Sequence, residues 1–256
     1  MSKYYLLDKP YVLEYAFYPC DDCREPPSYA TDILVPVEED ICVACRFYLT
    51  DAGYPTILFF HGNGEVASDY DAIATYFFKA NLNLIVAEFR GYGASNGAPT
   101  FANVISDAHT ILNAVKKELE KRDFRKAIYI MGRSMGSVSA LELARHHPKE
   151  CRGLIIESGF PCASRIARRV GAPLLEQDIR QVEYDCLEKI RNITIPALII
   201  HGSDDSLVSI EEAYTLEREL GSKDKRLYII RGADHNSVMA VDIAGYFQAI
   251  HEFIHR

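Results

Sequence analysis

Short, continuously apolar runs rich in β-branched residues recur along the chain at residues 56–60, 84–89, 127–131, 153–156, 197–200 and 227–230, each closed by glycine or a polar turn. Runs this short, without alternation, predict strands buried on both faces. Between them lie stretches of helical spacing, at residues 70–80, 104–121, 135–147, 210–220 and 239–254. Strand alternating with helix predicts right-handed crossovers, and so an α/β fold with a mostly parallel central sheet and helices on both faces. The N-terminal part reads differently. Residues 11–18, 31–37 and 41–49 are strand-like, and Glu38-Glu39-Asp40 can form a hairpin turn between the last two, so antiparallel N-terminal strands should precede the parallel body. Residues 161–192 break the alternation: they are polar, contain Pro173 and two helical patches, and exceed a usual connection. They are expected to form a short lid insertion within a single domain spanning 1–256.

Composition narrows the class. A chain of 256 residues with 48% hydrophobic and 25% charged residues is that of an ordinary globular protein. The formal net charge of −8 offers no basic stripe to displace counterions, so nucleic acid is not an expected partner. Seven scattered cysteines cannot all pair within one chain, which fits a reducing cytoplasm better than a disulfide scaffold. Lys3 and Asp8 interrupt the apolar core a signal peptide needs, and no run approaches the roughly 18 apolar residues of a membrane-spanning helix. A cytoplasmic location without a transmembrane segment is the expectation; oligomeric state is not encoded in any visible feature.

Four loops carry candidate chemistry. Gly132-Arg133-Ser134-Met135-Gly136 follows an apolar strand and opens a helix, the context in which a strained turn presents a serine hydroxyl above a sheet. An ordinary strand-to-helix turn with a serine cap reads the same way. Phe60-His61-Gly62-Asn63-Gly64 closes an earlier strand, and its glycines permit tight geometry in which the N–H of Asn63 could join that of Met135 as an oxyanion hole. His61 reads as a loop-organising residue. His201-Gly202-Ser203-Asp204-Asp205 and Gly232-Ala233-Asp234-His235 end two further strands. Loops beyond the carboxyl ends of parallel strands share one sheet edge, so nucleophile, acid and base should converge there. A serine hydroxyl needs an imidazole to take its proton and a buried carboxylate to orient that imidazole. Adjacency to the sheet edge does not separate Asp204 from Asp205.

These residues resemble the α/β-hydrolase superfamily, over residues 31–256, and in particular its small intracellular serine hydrolases of esterase or thioesterase type. The segment Glu88-Phe89-Arg90-Gly91-Tyr92-Gly93-Ala94-Ser95 is similar to a family turn with Asp-x-Arg-Gly-x-Gly-x-Ser, with Glu88 in the place of the acid. The family's H-G-x-x-D-x-x-V falls on His201, Gly202, Asp205 and Val208, with Ser209 where proline is common. The resemblance therefore implies an α/β-hydrolase fold, a triad of Ser134, Asp205 and His235, and a small-molecule or acylated substrate cleaved at an ester or thioester without metal or organic cofactor. A serine peptidase and a non-catalytic binding protein of the same fold are the alternatives.

The remaining motifs favour plainer readings. Cys20-x-x-Cys23 and Cys42-x-x-Cys45 have a spacing that can bind zinc, but residues three apart in a strand face opposite sides, which opposes chelation at the second pair. Arg165, Arg168 and Arg169 read as a solvated helix face that could also attract an acidic substrate group. His146, His147, His251 and His255 read as surface histidines of helices.

Overall fold

The computed structural model describes residues 3–169, 171 and 174–255; Pro173 lies outside them. Every apolar run of the parallel body becomes a strand. In chain order these are β1 (Thr31–Glu38), β2 (Ile41–Tyr48), β3 (Thr56–Phe60), β4 (Asn83–Ala87), β5 (Ile128–Arg133), β6 (Cys151–Glu157), β7 (Ala197–Gly202) and β8 (Lys225–Ile230). They form one eight-stranded sheet in the order β1-β2-β4-β3-β5-β6-β7-β8. The pairs β1/β2 and β2/β4 are antiparallel, with Asp40 at φ +60° in the hairpin, and all the others are parallel. From β3 the chain steps outward to β4 and returns on the other side of β3 as β5. That reversal is a topological switch point, where crossovers leave in opposite directions and a crevice opens beyond the strand ends.

The helices are α1 (Pro10–Ala16), α2 (Asp71–Lys79), α3 (Phe101–Lys121), α4 (Ser137–His146), α5 (Ala163–Arg169), α6 (Glu176–Arg191), α7 (Ile210–Glu219), α8 (Val238–Val241) and α9 (Ile243–Ile254). The period-two geometry of the strands divides the core between two faces. Leu58, Phe60, Ile130 and Ile156 face α3 and α4, whereas Ile57, Phe59, Met131 and Ile155 join the cluster that contains Phe77 of α2 and Phe253 of α9. This accounts for the absence of alternation in the sequence, since both faces of each inner strand are covered.

Two expectations are corrected. Residues 11–18 are not a strand: 10–16 form α1. Pro10 sits in its first turn, where a missing N–H costs nothing, and Val12 and Ala16, one helical turn apart, are buried while Tyr11 and Tyr15 are exposed. The aromatic propensity for strand yields to this one-sided burial. The helical stretch at 239–254 is also interrupted. Asp242 ends α8 and caps α9 by accepting from the Gly245 N–H at 2.9 Å, while its other oxygen accepts from the Tyr228 hydroxyl at 2.9 Å. Within 161–192 the two helical patches are α5 and α6.

Beneath the crevice a buried guanidinium ties three loops together. Arg133, the last residue of β5, forms an ion pair with Glu65 of the loop after β3 and donates to Glu157 at the end of β6 at 3.2 Å. It also donates to the His235 carbonyl at 2.8 Å and to Asn236 Oδ1 at 3.0 Å. Glu157 completes its shell with the Tyr246 hydroxyl of α9 at 2.6 Å. Planar donors that radiate in fixed directions suit this hub, and lysine could not replace them.

Two measurements check this architecture. In urea titrations Val12→Ala should lower stability by about 2 kcal/mol, whereas exposed Tyr11→Ala should cost less than about 0.5 kcal/mol; comparable losses at both positions would contradict a one-sided helix. Arg133→Met should cost about 3–5 kcal/mol at neutral pH, because it leaves buried carboxylates without their counter-charge. Burial already raises the Glu157 carboxyl above its ordinary 4.5, and loss of the guanidinium raises it further. A proton then binds the native state more tightly than the unfolded chain, so the deficit is largest above that raised pKa and shrinks as pH falls towards 4.5. Urea midpoints of mutant and parent should converge on acidification, and a pH-independent gap would refute the electrostatic origin.

Candidate active site

The elbow after β5 is held by close backbone approach. A Cβ at Gly136 would lie 2.0 Å from the Phe60 carbonyl oxygen, and one at Gly132 would lie 2.4 Å from the Gly136 oxygen. Only glycine fits at either position, and Ser134 between them is forced to φ +49°, a conformation that costs a non-glycine residue about 1–3 kcal/mol. The serine-cap reading fails here, because the Ser134 side chain caps nothing. Its hydroxyl faces the loop after β8 instead, with Oγ 3.0 Å from His235 Nε2.

His235 Nδ1 lies 2.7 Å from Asp205 Oδ2. The other oxygen, Oδ1, accepts from the N–H groups of Leu207 at 2.9 Å and Val208 at 2.7 Å. Asp205 thus closes its own loop and presents one oxygen to the imidazole. All three residues are buried, with Asp205 shut off from solvent at its carboxylate. Asp204 is exposed and accepts from Ser203 Oγ at 2.7 Å, so the structure brings Asp205, not Asp204, to His235. His201 stands behind this pair, its Nε2 2.8 Å from the Val208 carbonyl and 3.4 Å from Asp205 Oδ2, and burial lowers its pKa. A neutral ring that donates to Val208 therefore braces the acid loop without adding a charge to it.

The loop after β3 lies beside the elbow. His61 is fully buried, with Nδ1 2.7 Å from the Gly62 carbonyl and Nε2 2.8 Å from Glu88 Oε2. Two oxygen partners call for two N–H donors. Burial opposes that charged ring, yet the Glu88 carboxylate outweighs it and raises the pKa. His61 is a loop organiser, as read from the sequence, and Glu88 serves as the acid of the family turn by holding both His61 and the Ala67 N–H at 2.7 Å. Asn63 and Met135 line the same cavity as Ser134, and among the described residues their backbone amides have no recorded acceptor in turns or loops.

Reasoning from sequence missed three contributors. The Asn63 side chain fixes the N-terminal segment over the site: Nδ2 donates to the Ala16 carbonyl at 2.9 Å, and Oδ1 accepts from Tyr18 N–H at 2.9 Å and the Tyr92 hydroxyl at 2.5 Å. Tyr15, Ala16 and Tyr18 consequently wall an apolar cavity of about 80 Å³ beside Ser134, together with Phe160 and Leu207. Arg133 is the third, concealed as the variable position of the elbow motif. Of residues 161–192 only Ala163 lines this cavity among the described residues; Leu174 packs on the main core and Leu175 is exposed. Arg165 pairs with Glu212 at 2.9 Å and Arg168 with Glu176 at 3.2 Å, so neither is free for an acidic substrate; the Arg169 side chain lies outside the described residues. All seven cysteines are free, and none belongs to a described cluster of three possible metal ligands. Among the described residues no helix is long and apolar enough to cross a membrane.

Comparison with known proteins agrees with this fold. The chain is 28% identical over 222 residues to alpha/beta hydrolase domain-containing protein 17C of Xenopus tropicalis, which covers 85% of this chain and 67% of that protein. It is 27% identical over 205 residues to protein bem46 of Schizosaccharomyces pombe, covering 78% of this chain and 67% of the relative. The chain thus spans about two thirds of these relatives' length. Among solved structures, the Pyrococcus furiosus esterase Pf2001 superposes with a TM-score of 0.74 at 22% identity, over 93% of this chain and 98% of that one. Est1E from Butyrivibrio proteoclasticus with bound ferulic acid superposes with a TM-score of 0.71 at 17% identity, over 88% and 100% of the two chains. At such identities the likeness is one of fold. The Hydrolase_4 family, described as serine aminopeptidase, S33, matches residues 54–177 and 166–240, and with the elbow, the switch-point crevice and the mostly parallel sheet in place, the chain belongs to that family of α/β-hydrolases.

Proposed function

We propose that this hydrolase-family protein cleaves a carboxylic ester or thioester through an acyl-enzyme on Ser134. The observation that carries the reading is the hydrogen-bonded line from Ser134 Oγ through His235 to Asp205, at 3.0 and 2.7 Å, opening onto an apolar cavity. In this reading Ser134 attacks the carbonyl carbon while His235 Nε2 takes its proton. Asp205 holds the Nδ1–H and stabilises the imidazolium. The N–H groups of Asn63 and Met135 donate to the oxyanion, each such donor being worth about 10²–10³ in rate. His235 then returns its proton to the leaving alcohol or thiol, and water, activated by the same imidazole, releases the acid. The protein is read as one hydrolase domain in which α1 and the excursion at 161–192 shelter the acyl group.

The family description makes an aminopeptidase the competing reading. Such an enzyme must hold a substrate ammonium, which calls for a carboxylate beside the nucleophile. The described lining of the Ser134 cavity has no acidic side chain; Tyr15, Phe101, Phe160 and Leu207 offer mostly apolar surface. This favours an acyl chain over a peptide N-terminus.

A fluorophosphonate probe should label Ser134 in the folded protein, and Ser134→Ala should lose about 10⁶ in kcat with its urea midpoint preserved. Near-normal turnover of p-nitrophenyl esters by that variant would refute the mechanism. Asp205→Asn should lose about 10⁴ in kcat by favouring the wrong imidazole tautomer; Asp204→Asn should lose far less, and the reverse order would reassign the acid. Leu207→Ala, at the cavity wall, should change relative kcat/KM by a few-fold per added methylene, since each buried CH₂ is worth about 0.8 kcal/mol. Leu175→Ala should leave that profile unchanged, and a shift confined to Leu175→Ala would move acyl selection to 161–192.

A further inference from the structure

A second cluster of chemically capable side chains sits at the far end of α4. Glu142 and His146 are four residues apart and share one face of that helix, and His109 meets them from α3. Glu142 Oε1 lies 3.3 Å from His109 Nε2 and 3.0 Å from His146 Nδ1. His109 Nδ1 is in turn 2.8 Å from His147 Nε2, and His147 Nδ1 is 2.8 Å from Glu150 Oε1. Both carboxylates are anchored by lysines: Lys189 Nζ is 2.5 Å from Glu142 Oε2, and Lys116 pairs with Glu150.

The line Glu150, His147, His109, Glu142 contains three close contacts, and each needs a proton or a cation between its two atoms. Two neutral imidazoles bring only two N–H protons. In the arrangement where His147 Nδ1–H donates to Glu150, its Nε2 accepts from His109 Nδ1–H. His109 Nε2 then keeps a lone pair aimed at the Glu142 oxygen, a contact that a proton or a cation can bridge. The His146 ring nitrogen converges on the same oxygen.

We propose that His109 Nε2, Glu142 Oε1 and His146 Nδ1 bind one divalent transition-metal ion of the zinc class. Imidazole and carboxylate are the ligands such ions take, and bonds of about 2.0–2.1 Å in a tetrahedron separate neighbouring ligand atoms by about 3.3 Å. The observed 3.3 and 3.0 Å match that edge, and all three ligand atoms lie within 4.8 Å of one another. His109 already carries the outer support a ligating imidazole needs, through His147 to Glu150. His146 Nδ1 also lies 3.1 Å from the Glu142 carbonyl, so on metal binding its proton moves to Nε2, on a side chain about half exposed to water. Entry is open: a cavity of about 220 Å³ is lined by Glu142 and His146, with Asp185 and Glu188 set against Arg145 and Lys189. Lys189 neutralises the oxygen turned away from the metal. The ion would pin α3 to α4 about 10 Å along the helix from its start beside Ser134, outside the catalytic crevice.

The test uses the full chain, freed of metal with a chelator and titrated with zinc chloride or cobalt chloride. The expected result is one equivalent bound, visible d–d absorption from nitrogen and oxygen ligands for cobalt, and a Tm raised by about 5–10 °C at a hundredfold excess over Kd. His109→Ala and His146→Gln should each weaken binding at least tenfold, whereas Ser134→Ala and His251→Gln should bind as the parent does. The exposed His146 decides if His109→Ala does not fold. Absence of saturable binding would mean that a proton fills the third contact, and would overturn the proposal. So would binding that survives His146→Gln, or thiolate-to-cobalt charge transfer, which would place the metal at the C-x-x-C pairs.

Discussion

The fold turns on one close approach, the contact between the elbow after β5 and the end of β3. With no room for a Cβ at Gly136 against the Phe60 carbonyl, the chain must pass this point as bare backbone. Three consequences follow from that contact. Ser134 is driven into a left-handed conformation, the loop carrying Asn63 is brought beside it, and Met135, where the chain turns into the helix, lines the same cavity. The switch point in strand order makes this approach possible, because β3 and β5 are neighbours whose crossovers depart to opposite sides.

A strained residue persists only where its surroundings leave it no alternative. Here the restraint is α4, in which Ser137 to Ala144 are all buried between β5, β6 and α3. Ser137 donates to the Ser134 carbonyl at 2.6 Å and Ser139 to the Val104 carbonyl at 3.0 Å, so even the polar residues of that stretch are fixed. Relaxing the elbow would drag this helix out of the core. Arg133 acts from the other side, reaching the loops after β3, β6 and β8 from a single residue next to the proposed nucleophile.

Much of this was legible in the sequence because it is local. Apolar runs closed by glycine mark the inner strands, and the elbow and acid-loop motifs encode backbone shapes that only certain residues allow. Asp205 needed the family resemblance, since its distinction from Asp204 lies in which side chain turns inward. What stayed hidden depends on partners distant in sequence. Residues 11–18 read as strand-like from their aromatic and apolar residues, and 10–16 become α1 because Val12 and Ala16 find the main core. Residues 161–192 read as a lid, yet among the described residues only Ala163 of them lines the cavity, and the N-terminal segment is held there through the side chain of Asn63. Arg133 and His109 are unremarkable letters whose roles arise from carboxylates contributed by other elements.

The buried charges also divide by what they hold. At the proposed catalytic end, Arg133 and His61 each meet carboxylates with enough donors to fill every contact, and such satisfied networks can set position without being available for other chemistry. At the distal end of α4 the contacts outnumber the protons of neutral imidazoles, so one of them takes a further proton or the proposed cation. The two ends share a rigid helix, and the distal one is where the proposed ion would bind. A cation bound there would stiffen the element that already confines the Ser134 turn, without entering the crevice where the acyl group would sit.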